Sequence, residues 1–579
     1  MSHSEGQVCG DGIGPAAGGP AAPDVRVSKQ ACVGPAAWAF LVACFVYGYC
    51  WNVWRIGPLV DDYALIDSVR REGVGGLLGR FGPLHRPLAY FISLGLFSHF
   101  GDNVAPMVAI AVVAHALCAP LLYWLCRQLG LGALPAFMTG LLFLCFPFRN
   151  QAILWSCEMV QPLTLMVFLA GACALAAWCV RPKHWGVFAA AFVLVASASL
   201  MYDEIFALFP LLLFVGAVVP GSSRRRSLTG AGVLLLVGAC VAFLATRTSL
   251  GSLAQSHPAS TGLAFTTLRS LRNMLALCVS SLGGPLLDAS TELLMSVPGV
   301  MSTAALCCVG ALFVRNTCRG GRECLDSRGH GHLWVLWGGT GLLLLLSLAI
   351  LGTVGFTGHW GRVSYMPSLA LAMWLGASYG IVFSALSNRR SGITFLVVGA
   401  AAVSIAYSAV NQWDLRAFAT QHDREQSMLR VLRGALPEPE AGTVFVFVPW
   451  KWRAHRSMDT SFIYEMPENL LRRTYGRTDI RATPRFSLSA EGVVWRAGKH
   501  PCPYDHTVIL AHIGRSEFVA VTEVRLAGRR GERTVSVPLA SRLPFRKARL
   551  VVKEPLPPIG RMADYSEARL RRFLRLELQ

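Results

Sequence analysis

The chain has 579 residues, of which 53% are apolar and only 15% charged, and its mean hydropathy is +0.47. That is too apolar for an ordinary soluble protein, and long enough for a membrane domain plus a separate folded unit. The formal charge of +20 would suit nucleic acid or anionic lipid. Because many arginines lie in short loops between apolar runs, membrane lipid is the expected partner and nucleic acid is not.

Residues 1–35 are rich in Gly, Pro and Ala and lack an apolar leader, which predicts a disordered cytoplasmic tail. Candidate spanning runs follow at Ala36–Trp54, Val104–Cys126, Leu134–Pro147, Cys157–Val180, Trp185–Met201, Ile205–Pro220, Leu228–Thr246, Val297–Val314, Leu333–Val354, Ser364–Leu386 and Ile393–Val410. Most approach the ~20 residues that a bilayer requires, which gives about 11 crossings. With that count, the basic loops at Arg127, Arg181, Arg224–Arg226 and Arg389–Arg390 share one side, the cytoplasm by the charge rule. The apolar segment Leu268–Leu287 would break this pattern as a crossing, so it is read as interfacial or re-entrant. Pro87–Phe100 is too short to span and is expected to lie along the interface.

The expected fold class is mainly α, a polytopic membrane helix bundle over residues 36–410, with a C-terminal extracytoplasmic β-rich (α+β) domain over 411–579. The tail opens with the charged, helix-compatible stretch WDLRAFATQHDREQSMLRVLRG. Short β-branched runs follow: TVFVFVP, HTVILAHI, EFVAVTEVRL, RTVSVPLAS and ARLVVKE. The tail is basic by about +11, which suits a membrane surface or an anionic partner. Of the 17 cysteines, Cys44, Cys118, Cys145, Cys173, Cys240, Cys307 and Cys308 fall inside apolar runs and no CxxC pair occurs, so no disulfide framework or cysteine metal site is expected.

Five polar clusters share the opposite, outer face. Asp61 and Asp62 come just after the first apolar run, where adjacent carboxylates can divide labour between orienting a hydroxyl and accepting its proton; a solvated acidic loop is the plain alternative. His85 and Arg86 precede a proline at headgroup level, and an arginine grips phosphate bidentately unless it merely snorkels. Arg149, Asn150 and Gln151 follow a helix-ending proline, with Glu158 further on. Asp203 and Glu204 sit in a tight turn, and Arg362 and Tyr365 open the tenth run. Carboxylates beside guanidiniums suit attack on a phosphate-activated carbon.

At these residues the chain resembles the polytopic glycosyltransferases of the GT-C fold, in the branch containing the protein O-mannosyltransferases and the transmembrane TPR-containing O-mannosyltransferases. Asp61-Asp62 match that branch's acidic pair, and Arg86-Pro87-Leu88 its RPL segment. Pro147, Arg149, Gln151, Ala152, Ile153 and Trp155 stand in its P-x-H-x-E-A-V-x-W stretch. Asp203-Glu204 with Pro210 match its KE pair and proline, and residues 361–368 its ERYLYLPS stretch. Arg149 and Gln151 replace the motif's His and Glu, Asp203 its Lys, and Gly361 the Glu of ERYLY. The resemblance spans residues 36–410 and implies a polyprenyl-phosphate sugar as donor, inversion at the anomeric carbon, and a glycan, lipid or protein hydroxyl as acceptor. It implies Asp61 or Asp62 as base, Arg86, Arg149 or Arg362 on the donor phosphate, and His85, Asp203, Glu204 and Tyr365 positioning substrate. It allows a divalent metal without fixing one, and no other cofactor is expected. The expected location is the inner or plasma membrane, with the N-terminus cytoplasmic and the tail outside. The rival readings are a non-enzymatic lipid or polysaccharide transporter and an inactive GT-C homologue.

Overall fold

A computed structural model describes residues 33–58, 61–81, 86–147, 149–220, 222–246, 263–320, 330–353, 365–386, 390–448, 467–477, 479–483, 486–495, 500–512, 518–528, 531–553 and 573–579. The expected disordered tail, apart from its last three residues, lies outside them.

The chain is mainly helical, and it is a membrane protein: among the described residues eight helices are long and apolar enough to cross a bilayer. Helix α1 (Pro35–Phe45) starts at a proline, whose missing N–H costs nothing in a first turn. It continues through a π-helical turn, Val46–Cys50, into the 3₁₀ turn Val53–Arg55. Helix α2 (Asp61–Phe81) is kinked at Gly73, where a φ of 69° favours glycine. The short apolar helix α3 (Pro87–Phe100) has the bounds read from the sequence. There follow α4 (Ala105–Gln128), α5 (Ala133–Cys145), the single-turn α6 (Asn150–Leu154), α7 (Val160–Val180), α8 (Trp185–Met201), α9 (Pro210–Val218) and α10 (Arg224–Thr246).

Seven of the eight spanning helices coincide with runs read from the sequence, and the eighth, Thr267–Thr291, is the segment read as interfacial. It consists of two helices, α11 (Leu263–Ser280) and α12 (Gly284–Leu294), joined by a turn at Ser281–Gly283. Conversely, α5, α8 and α9 have 13, 17 and 9 residues, the last preceded by a 3₁₀ turn at Asp203–Leu208. At about 1.5 Å per residue these reach roughly 20, 26 and 14 Å, less than a hydrocarbon core of about 30 Å. The apolar bundle closes with α13 (Val297–Gly320), α14 (His330–Thr353), α15 (Tyr365–Ala385) and α16 (Arg390–Ala435). Small residues let helices touch: a Cβ at Gly140 would meet the Ala119 carbonyl oxygen at 2.7 Å, and one at Gly376 would strike Thr139.

Helix α16 runs 46 residues without interruption, from the last apolar run through the whole charged stretch, so membrane-type and soluble-type sequence share one rod. Its C-terminal half is fastened to the segment ahead of α2 and to α2 itself. Arg55 pairs with Asp423 at 2.6 Å, and Gln426 donates to the Tyr63 hydroxyl at 3.3 Å. Gly57 lies so close to the His422 ring that no side chain would fit there.

Beyond α16 comes a mixed sheet in the order β2-β1-β5-β6-β8-β9, with β7 also on β6. Strand β1 (Val444–Val448) is buried along its length and pairs parallel with β2 (Arg481–Thr483) and β5 (Thr507–His512), as an unbroken apolar run requires. Strand β6 (Phe518–Gly528) pairs antiparallel with β5 and β7 (Gly531–Ser536), and parallel with β8 (Arg546–Val552). Strand β9 (Leu574–Leu578) closes the edge against β8. The run RTVSVPLAS is only half strand, because Pro538 starts a short helix to Ser541. A second, two-stranded sheet joins β3 (Ser487–Leu488) to β4 (Val493–Val494). Part of the basic excess is neutralised across the large sheet, where Glu523 meets Arg549 at 2.5 Å and Arg525 meets Glu532 at 3.4 Å. Helix α17 (Pro467–Tyr475), also in the tail, packs on both α2 and α16.

Candidate functional site

Asp61 and Asp62 are the first residues of α2, where backbone N–H groups and the helix dipole favour negative charge. The Asp62 side chain is fully buried, so it does not lie in a solvated loop. Helix α2 packs on the 3₁₀ turn Ser156–Glu158.

The second and fourth motifs meet directly. Arg86 Nη2 lies 2.5 Å from Asp203 Oδ1, and both side chains are about one-fifth exposed. The guanidinium also sits 3.8 Å above the centroid of the Tyr202 ring, a cation–π contact. The Tyr202 hydroxyl donates to Glu158 Oε2 at 2.9 Å, while Gln161 Nε2 donates to the same oxygen at 2.9 Å and to the Tyr202 hydroxyl at 2.7 Å. Glu204 is buried on the same 3₁₀ turn as Asp203. Thus Arg86, Asp203, Tyr202, Glu158 and Gln161 form one cluster from three distant parts of the chain. Tyr202 and Gln161 were not singled out in the sequence, although a glutamine one residue into an apolar helix is a signal of the same kind as Glu158.

Arg149 stands elsewhere, in a second polar network. It is fully buried, donates to Ser368 Oγ at 2.8 Å, and lies 4.1 Å over the Phe143 ring. His115 Nδ1 lies 3.0 Å from the Tyr365 hydroxyl. His115 Nε2 faces both the Leu144 carbonyl at 3.3 Å and Arg149 Nη2 at 3.4 Å, and serves one or the other according to tautomer. Asn150 Nδ2 donates to Asp414 Oδ2 at 2.6 Å and to Asn411 Oδ1 at 2.9 Å; Asn411 in turn donates to the Cys145 carbonyl at 2.9 Å. The Tyr49 hydroxyl donates to Asn150 Oδ1 at 3.2 Å. This network ties the π-helical turn, α4, α6, α15 and α16 together where the bundle would otherwise hold only apolar contacts. The expected phosphate-gripping role of Arg149 does not fit its surroundings, since none of it reaches solvent and its two Nη atoms face Ser368 and His115. Tyr365 belongs to the same network and is likewise buried. His85 and Arg362 lie outside the described residues, as does the Asp61 side chain.

Among the described residues no group of three or more His, Cys, Asp or Glu side chains could hold a metal ion. No family model matches the chain, and no curated protein matches it.

Proposed function

We propose that this chain is a membrane glycosyltransferase, of the GT-C kind it resembles, that moves a sugar from a polyprenyl-phosphate carrier to an acceptor hydroxyl on the non-cytoplasmic face. The observation that carries this is the meeting of Arg86 with Asp203 at 2.5 Å, beside Glu158, whose turn packs on the helix headed by Asp61 and Asp62. Arg86, Asp203 and Glu158, scattered through the chain, thus lie together, and carboxylates beside a guanidinium suit attack on a phosphate-activated carbon; in this reading Asp61 and Asp62 complete the same site.

In the reaction, Asp62, or Asp61 beside it, orients the acceptor hydroxyl and takes its proton. The acceptor oxygen bonds to the anomeric carbon while the carbon–oxygen bond to phosphate breaks, with inversion, and its electron pair leaves on the lipid phosphate. A guanidinium neutralises that leaving group; with Arg149 enclosed and Arg86 already held against Asp203, Arg362 is the position for it. Glu204 helps to position the acceptor.

The test is transfer and donor binding by purified protein in nanodiscs. Replacing Asp62 with Asn keeps its shape but removes the proton acceptor, and loss of a general base lowers turnover on the order of 10²–10⁴-fold. Donor binding is expected to persist. Near-normal transfer by both Asp61→Asn and Asp62→Asn would discard the carboxylate mechanism.

A further inference from the structure

We infer that the cluster of Arg86, Asp203, Tyr202, Glu158 and Gln161 is a subsite for the hydroxyl groups of the transferred sugar rather than a grip on its phosphate. The inference rests on the donor-lipid reading above and assigns one part of that donor to one part of the site.

Charge argues first. A phosphate approaching Arg86 would also meet Asp203, already in contact with that guanidinium at 2.5 Å. Glu158 and Glu204 lie near enough to act on the same guanidinium. Asp203, Glu158 and Glu204 thus all act on the one guanidinium, which makes it a poor host for a further anion.

The chemistry of the cluster suits a neutral polyol. Each sugar hydroxyl is one donor with two acceptor lone pairs, so a site that reads it needs acceptors and donors side by side. Carboxylate oxygens of Asp203 and Glu158 supply the acceptors. The Gln161 amide spends both N–H groups on Glu158 and Tyr202 and offers its unpartnered Oε1 as a further acceptor; Arg86 supplies the donor, since its Nε is buried with no hydrogen-bond partner among the described residues.

The cluster is also rigid. Tyr202 holds Arg86 from below at 3.8 Å, and Glu158 and Gln161 hold the ring's hydroxyl from its far end at 2.9 and 2.7 Å. A planar guanidinium fixed on one face and along one edge offers its remaining N–H groups in one direction, which is what separates one hydroxyl configuration from another.

The experiment compares two ligands on the intact protein in nanodiscs: a long-chain polyprenyl phosphate, and the same lipid carrying glucose, mannose or galactose. Wild-type protein is expected to bind one sugar-bearing lipid more tightly than the bare phosphate. Glu158→Gln keeps the shape and removes one acceptor, and Arg86→Lys keeps the charge and removes the fork. Each is expected to lose roughly tenfold to a hundredfold in affinity for the sugar-bearing lipid, as deletion of a charged hydrogen-bond partner does, and to bind the bare phosphate as before. A deoxy sugar lacking the hydroxyl in question should bind wild type and Glu158→Gln equally. If both variants lose bare phosphate and sugar-bearing lipid alike, with an unchanged melting temperature, the cluster grips phosphate and the inference is overturned. If wild type binds all the lipids equally, the subsite does not exist while the donor-lipid reading stands; if it binds none, both fall.

Discussion

Arg149 is the residue whose sequence context and surroundings point to different roles, and two substitutions separate them. Changing it to Ala removes the bond to Ser368 (2.8 Å), the contact with His115 (3.4 Å) and the stacking on Phe143 (4.1 Å). The partners are not stranded: Ser368 still donates to the Tyr365 carbonyl at 2.6 Å, and His115 keeps the Tyr365 hydroxyl at 3.0 Å. What remains is the hole, and truncation of a long buried side chain to Ala costs about 2–5 kcal/mol. Arg149→Met refills most of that volume without a charge to desolvate, so it is expected to cost less than about 1.5 kcal/mol, or to stabilise. Thermal unfolding of purified protein should rank wild type near Met and both well above Ala, with polyprenyl-phosphate binding unchanged in the Met variant. Loss of binding by Arg149→Met at unaltered stability would refute this reasoning and return Arg149 to the donor phosphate.

Gly376→Val is expected to destabilise the bundle by several kcal/mol, because its Cβ would strike Thr139 where α15 meets α5; unchanged unfolding would show that the two helices separate freely. The Cys502 thiol is pushed up by burial, so less thiolate is present at pH 8. Its alkylation should lag that of a freely exposed cysteine there, with the gap narrowing as pH rises or the tail unfolds. Exposed Glu491 makes a better topology reporter: in a variant whose only cysteine is introduced by Glu491→Cys, that thiol should react with an impermeant reagent on intact cells, and labelling only after lysis would place the tail inside. Residues 437–579 expressed alone should give a strand-rich circular dichroism spectrum and a cooperative melt, whereas a coil spectrum would mean that the tail needs α2 and α16 to fold.

Where one local pattern decides structure, the sequence was readable. The apolar runs became helices, Pro87 fixed the start of α3, and the β-branched runs became β1, β5, β6, β7 and β8. Short β2 was missed because three residues of mixed polarity carry no period of their own, whereas LRLEL of β9 does alternate apolar and polar residues and was a signal passed over. The spanning pattern blurred where helices are short or broken, since hydropathy counts apolar residues and is blind to the turn at Ser281–Gly283. Among the candidate site residues, Arg86 and Asp203 could be named but not paired, and the buried network around Arg149 was not legible. That network depends on His115 in α4 and Ser368 in α15, and no linear spacing reveals such long-range neighbours.

The unbroken course of α16 gives the protein a property of phase as well as length. At 1.5 Å per residue its 46 residues span about 69 Å, of which roughly 30 Å suffices to cross a bilayer. The remainder is a stiff mast, and each residue of a helix turns whatever it carries by about 100°. Deleting a single residue above the clasp at Asp423 and Gln426 would lower the sheet by only about 1.5 Å but swing it more than a quarter turn away from α2. Deleting seven would lower it by about 10 Å and leave its bearing within about 20°. The azimuth of the tail over the bundle is thus quantised by residue count, and a change in mast length that keeps the tail facing α2 must come in near-whole turns.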